Sequence, residues 1–140
     1  MKAVVGVLGD TAYADSEKLI KAGQAIRKAI TVFTFLDGGT RQHVGAIAQQ
    51  VYSALQAAGL DPASFGIWGQ DALTQQVEVR DENGALTDIE TKPVLDAKGE
   101  QVYRQSLRYD ELSMLLIAAG EAEMQTLAAR VAALEAKAGA

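Results

Sequence analysis

The spacing of apolar positions changes repeatedly along the chain, and each change predicts a different element. Val4, Val5, Val7 and Leu8 form a β-branched run that stops at Gly9-Asp10, the pattern of a short buried or paired strand. Asp15 or Ser16 then offers a helix N-cap, Glu17 an acidic first turn, and Leu19, Ile20, Ala22, Ile26 and Ile30 recur at helical spacing. A first amphipathic helix is expected up to about Ile30, with Lys18, Lys21, Arg27 and Lys28 in water. Thr31 to Leu36 alternates β-formers ahead of Asp37-Gly38-Gly39 and predicts a strand with one aromatic face buried. From Val44 to Ala58, the positions Val44, Ile47, Ala48, Val51, Leu55 and Ala58 follow a helical period closed by Gly59, which predicts a second helix with a glycine after its last turn.

The middle of the chain reads as a β meander. Phe65 to Trp68, Val77 with Val79, Leu86 to Val94 and Val102 to Leu107 are short β-prone segments, separated by Asp81-Glu82-Asn83-Gly84 and Asp96-Ala97-Lys98-Gly99. Asn83-Gly84 carries the type I′ hairpin signal, and the second loop resembles a longer hairpin connection. From Asp110 the pattern turns helical and stays so without a proline. Ile117, Met124, Val131 and Ala138 fall seven apart, with Gly120, Leu127 and Leu134 between them, so a heptad seam runs along the helix. Glu121, Glu123, Arg130, Glu135 and Lys137 flank it. Alone, such a helix leaves an apolar stripe in water, so it demands either its own core, as many terminal helices do, or another chain. Identical chains are the partner favoured here, with Ile117, Met124, Leu127, Val131 and Leu134 as the contact residues.

The expected fold class is thus α+β: a small β meander, two packed helices and a long C-terminal helix making a coiled-coil-like contact between chains. Residues 1–110 form the core and 111–140 an oligomerisation helix of the same domain. With 140 residues, 49% of them hydrophobic, the chain can bury one such core. Its 18 acidic against 13 basic residues repel a polyanion, which excludes nucleic acid as a partner. No cysteine and one histidine leave neither a thiolate nor a histidine-rich metal site, so no metal and no cofactor is expected. Its apolar runs fall short of the roughly 20 residues that span a bilayer, and the first residues lack a cleavage signal, so no membrane partner and no signal peptide are expected.

Of the residues that could carry chemistry, His43 reads as a structural hydrogen-bonding group near the start of the second helix, with a pH switch as its functional alternative. Gly45 permits close backbone approach; no lysine-bearing phosphate loop surrounds it. Gln49 and Gln50 stand open between bridging chains and simple solvation, whereas Trp68 with Phe65 reads as burial within the domain. Asp71, Glu78, Asp81, Glu82, Asp88 and Glu90 show no spacing that singles out an acid and a nucleophile, and read as surface.

His43-Val44-Gly45-Ala46-Ile47-Ala48-Gln49-Gln50-Val51, followed by Gly59-Leu60, resembles the intramolecular chaperone domains that end many phage tail fibres and endosialidase tail spikes. The family pattern H-[VI]-G-x-[IT]-A-Q-x-V includes His43, Gly45 and Gln49. Ile26 to Leu36 before it and Leu107-Arg108-Tyr109-Asp110-Glu111-Leu112 after it agree in order and spacing, so the resemblance runs roughly from residue 15 to 137. It implies a homotrimer that holds the upstream fibre or spike chains together while they fold, in a virion tail fibre precursor assembled in the bacterial host cytoplasm.

Many members of that family then cut themselves off with a Ser-Lys dyad, in which lysine activates a serine of an S-D-x-R-x-K motif. Ser16 and Lys21 match this spacing within Ser16-Glu17-Lys18-Leu19-Ile20-Lys21, but the arginine is missing and Glu17 replaces aspartate. Alignment back from Phe33 and Phe35 places the family's cleavage region in residues 1–10, which contain no serine. The expected function is therefore a trimerisation and folding chaperone without self-cleavage in this chain. A Ser16-Lys21 autoprotease and a separately encoded fibre-assembly chaperone are the alternatives.

Overall fold

The computed structural model describes all residues 1–140, and it divides into two compact units. Unit one comprises residues 1–68 and 107–140; unit two is the excursion 69–106 between them. The architecture is α+β, with three α-helices, α1 (Ser16–Arg27), α2 (Ala48–Ala57) and α3 (Tyr109–Ala138), and six short strands. The strands are β1 (Thr31–Phe33), β2 (His43–Gly45), β3 (Trp68–Ala72), β4 (Thr74–Arg80), β5 (Leu86–Pro93) and β6 (Tyr103–Leu107). They form three separate two-stranded sheets, β1-β2, β3-β6 and β4-β5, in place of the expected meander.

The core of unit one lies where α1, α2 and the first turns of α3 meet. Leu19, Ala22 and Ile26 of α1, Val51 and Leu55 of α2, and Leu112 and Leu115 of α3 are buried together with Leu60, Ile67 and Trp68. Trp68 packs against Tyr52 with ring centroids 4.8 Å apart and the planes tilted by 53°, in keeping with burial inside the domain. Helix α1 crosses α3 closely because Gly23 has no side chain: a Cβ there would fall 2.8 Å from that of Ala119. Helix α2 closes as expected. Gly59 takes φ +84°, its N–H donates to the Gln56 carbonyl (2.9 Å) and the Leu60 N–H to that of Leu55 (3.0 Å), so the last carbonyls are satisfied while Leu55 and Leu60 join the core.

Several boundaries differ from the expectation, each because a partner outside the local window decides. Val4 to Leu8 forms no strand, since no neighbouring strand supplies a ladder; the segment turns at Val7–Asp10, and Val4, Val5 and Val7 remain exposed. Helix α1 ends at Arg27, not Ile30, and the first hairpin strand stops at Phe33, not Leu36. Val44 and Gly45, expected as the start of the second helix, instead join His43 in pairing antiparallel with β1, in the register Thr31↔Gly45, Val32↔Val44, Phe33↔His43. Phe65 to Trp68 is not a strand: a 3₁₀ turn at Pro62–Ser64 leads in, and β3 begins only at Trp68.

In unit two, β4 and β5 make an antiparallel ribbon with almost every side chain in water. Its turn is not type I′, because only Gly84, and not Asn83, has positive φ. The Gly84 N–H donates to the Asp81 carbonyl and the Asp81 N–H to that of Ala85, a type I turn followed by a glycine bulge. The Asp81 carboxylate accepts from the Asn83 and Ala85 N–H groups. Asp96 repeats the device, accepting from Lys98 and Glu100 ahead of Gly99. Where the ribbon meets the following loop, Leu73, Val94 and Val102 bond in a ring, each N–H to the next carbonyl. The Gln101 amide nitrogen reaches all three of those carbonyls, at 2.9, 3.2 and 2.8 Å.

Candidate functional site

Helix α3 extends for about 45 Å, far longer than the core it starts from. Asp110 and Glu111 in its first turn complement the positive end of the helix dipole. Leu112, Leu115 and Ala119 face α1 and are buried; beyond Gly120 no residue of the helix is. The reading of a terminal helix folded back on its own core therefore holds for its first three turns alone.

On the remainder lies the apolar seam. Ile117, Met124, Leu127, Val131 and Leu134 are 64%, 66%, 57%, 52% and 64% exposed, on a helix with no packing partner there. Gly120 departs from the seam. It is buried against α1, where a side chain would collide with the Arg27 guanidinium, and Arg27 pairs across it with Glu123 at 3.6 Å. Heptad spacing alone cannot distinguish a seam position from one that meets the helix's own core, because the two faces adjoin. Ile117 also differs from the rest: it borders a cleft with Val7, Leu8, Ile20 and Met114, beneath the N-terminal segment. The open seam thus consists of Met124, Leu127, Val131 and Leu134.

A second exposed apolar surface lies on the β1-β2 hairpin, where Val32 and Val44 sit directly opposite each other and are both exposed. The motif residues gather behind it. His43 is half-buried and packs its ring against both Phe33, stacked at 5.7 Å, and Phe35, edge-on at 4.9 Å, on a strand and not near a helix start as expected. Gly45 is where the Tyr109 hydroxyl passes on its way to the Ala46 carbonyl (3.1 Å); a Cβ would lie 2.7 Å from that oxygen. The two stretches His43 to Val51 and Leu107 to Leu112 are therefore one contact in space. Gln49 and Gln50 are exposed in the first turn of α2.

Ser16 and Lys21 lie apart. Ser16 is 5% exposed at the first position of α1, after Asp15 at the N-cap, and its hydroxyl oxygen accepts from the Gly9 N–H at 2.7 Å. Lys21 is exposed, about 140° further round the helix. The carboxylates Asp71, Glu78, Asp81, Glu82, Asp88 and Glu90 are likewise exposed along unit two. The contacts missed by sequence reasoning, which leaves Arg27 in water and Tyr109 only within a matching stretch, are the reach of Arg27 over Gly120 to Glu123 of α3 and the bond of Tyr109 to the motif backbone; those partners are far away in sequence.

No protein-family model matches the chain. In sequence it is similar to a probable tail spike protein of Klebsiella phage 0507-KN2-1, 38% identical over 65% of this chain and only 8% of the relative's length. Its structure is similar to the carboxy-terminal domain of the bacteriophage T5 L-shaped tail fibre with its intramolecular chaperone domain, at TM-score 0.55 and 25% identity over 100% of this chain and 34% of that one. A novel intramolecular chaperone shares the fold at TM-score 0.61 and 24% identity, over 80% of this chain and 91% of that one. The chain is thus similar to a tail spike in sequence and to intramolecular chaperones in fold.

Proposed function

We propose that this chain is an intramolecular chaperone module of a phage tail fibre or tail spike, and that it acts by gathering three identical chains through the outer half of α3. The observation that carries this reading is the open seam of Met124, Leu127, Val131 and Leu134 on a helix segment with no cover in its own chain. A helix half of about 27 Å with an apolar stripe is stable in water only when that stripe is covered. Once three modules associate, the attached fibre or spike chains share one register and meet at an effective concentration far above their bulk value. The means is binding energy. Self-cleavage in this chain is not part of the proposal: the Ser16 hydroxyl is engaged with the backbone, and Lys21 stands on a different face of α1. Assembly of the precursor in the host cytoplasm belongs to the same reading.

Size-exclusion chromatography coupled to light scattering, with intact-mass spectrometry on the same sample, tests it. A mass near three times 14.8 kDa is expected, uncut, and Leu127→Asp is expected to shift it toward the monomer without unfolding the core. A wild-type monomer at all concentrations overturns the association; a fragment beginning at Ser16 revives the autoprotease.

A further inference from the structure

Three charged side chains on the free half of α3, Arg130, Glu135 and Lys137, lack an ion-pair partner in their own chain. Arg130 and Glu135 are exposed and take part in none of the protein's ion pairs. Charges on a helix interact three or four positions apart. At that spacing Arg130 meets only Thr126, Leu127, Ala133 and Leu134, and Glu135 only Val131, Ala132, Ala138 and Gly139. Glu123, one heptad before Arg130, is by contrast already held by Arg27.

With Met124 and Val131 at a and Leu127 and Leu134 at d, Arg130 occupies a g position and Glu135 the e position of the following heptad, on opposite flanks of the seam. In parallel helices in register, a g residue faces the neighbouring chain's e residue of the next heptad. That neighbour of Arg130 is Glu135. At the previous g position, Glu123, already held by Arg27 of its own chain, would face the uncharged Ala128. An antiparallel arrangement sets g against g and e against e, bringing Arg130 to Arg130 and Glu121 to Glu135, both like-charged, against one opposite-charged contact, that of Lys137 with a Glu123 already held by Arg27.

We propose that Arg130 of one copy pairs with Glu135 of the next, and that this pair selects the parallel, in-register association of the α3 helices. The inference rests on the association proposed above. Exposed ion pairs contribute little each, but they repeat at every interface of a closed ring, and like-charge juxtaposition works against the wrong orientation.

The test measures the association constant of the full chain by sedimentation at low and high salt, for wild type, Arg130→Glu, Glu135→Arg and the double exchange, with circular dichroism confirming that each is folded. Each single reversal is expected to weaken association on the order of tenfold to a hundredfold, less so in concentrated salt. The double exchange is expected to restore it to near wild type. A Glu135→Arg variant that associates more tightly overturns the proposal in favour of antiparallel packing, where the arginine would meet Glu121. Single reversals without effect, or a double exchange no better than either, overturn the pair itself. Wild type that never associates removes instead the reading on which the pair depends.

Discussion

The Tyr109 hydroxyl donates to the Ala46 carbonyl across 3.1 Å, and it reaches that atom only because Gly45 leaves the space above the backbone empty. This contact ties the start of α3 to the β1-β2 hairpin, 63 residues away in sequence.

Gly45→Ala is expected to lower unfolding stability by about 1–3 kcal/mol, the usual cost of overpacking, because its Cβ would meet the Tyr109 oxygen. Tyr109→Phe alone loses one hydrogen bond, about 1 kcal/mol. Combined, the two should cost less than their sum, since removing the oxygen relieves the collision. Denaturant unfolding of the four proteins measures this, and simple additivity would mean that the two residues do not touch.

The spacing of α1 and α3 makes a second prediction. Gly23→Ala places a methyl group against Ala119 and the Leu115 side chain, between helices that carry nearly half of the core. A loss of about 1–3 kcal/mol in unfolding free energy is expected, with the helix content by circular dichroism unchanged. An unchanged unfolding midpoint would mean that the two helices do not approach this closely at Gly23.

The ribbon of unit two offers a third. An isolated two-stranded ribbon is marginal in water, so its turn chemistry matters out of proportion. Asp81→Ala removes the acceptor of two backbone N–H groups and should speed amide exchange along β4 and β5, whereas Asp81→Asn, which keeps an accepting oxygen, should not. Amide hydrogen exchange followed residue by residue distinguishes the two variants.

Where structure depends on residues a few positions apart, it was legible in the chain. The Gly59 closure of α2, the aspartate-to-glycine turns at Asp81 and Asp96, and the helical run through α3 each need only their own neighbours to satisfy the backbone. The exposed seam was legible for the same reason, since a heptad repeat is a local spacing. The type of the Asn83 turn was not, because its dipeptide suits more than one hairpin geometry and the flanking register, shifted at Val79/Arg80, selects among them.

Other features were settled by partners that no local window contains. His43 to Gly45 could continue into the helix after it, and becomes a strand because β1 offers a ladder and Tyr109 closes over Gly45. Val4 to Leu8 has the composition of a strand and stays unpaired, since β-propensity without an adjacent edge satisfies no backbone group. Gly120 has the spacing of a seam residue and belongs to the core, because Arg27 of α1 lies over it. Composition and spacing determine which helices and turns the chain can form; the packing of α1 against α3 decides which part of the last helix is left uncovered. A residue's period is set by its own helix, whereas its burial is set by whatever arrives from elsewhere in the chain.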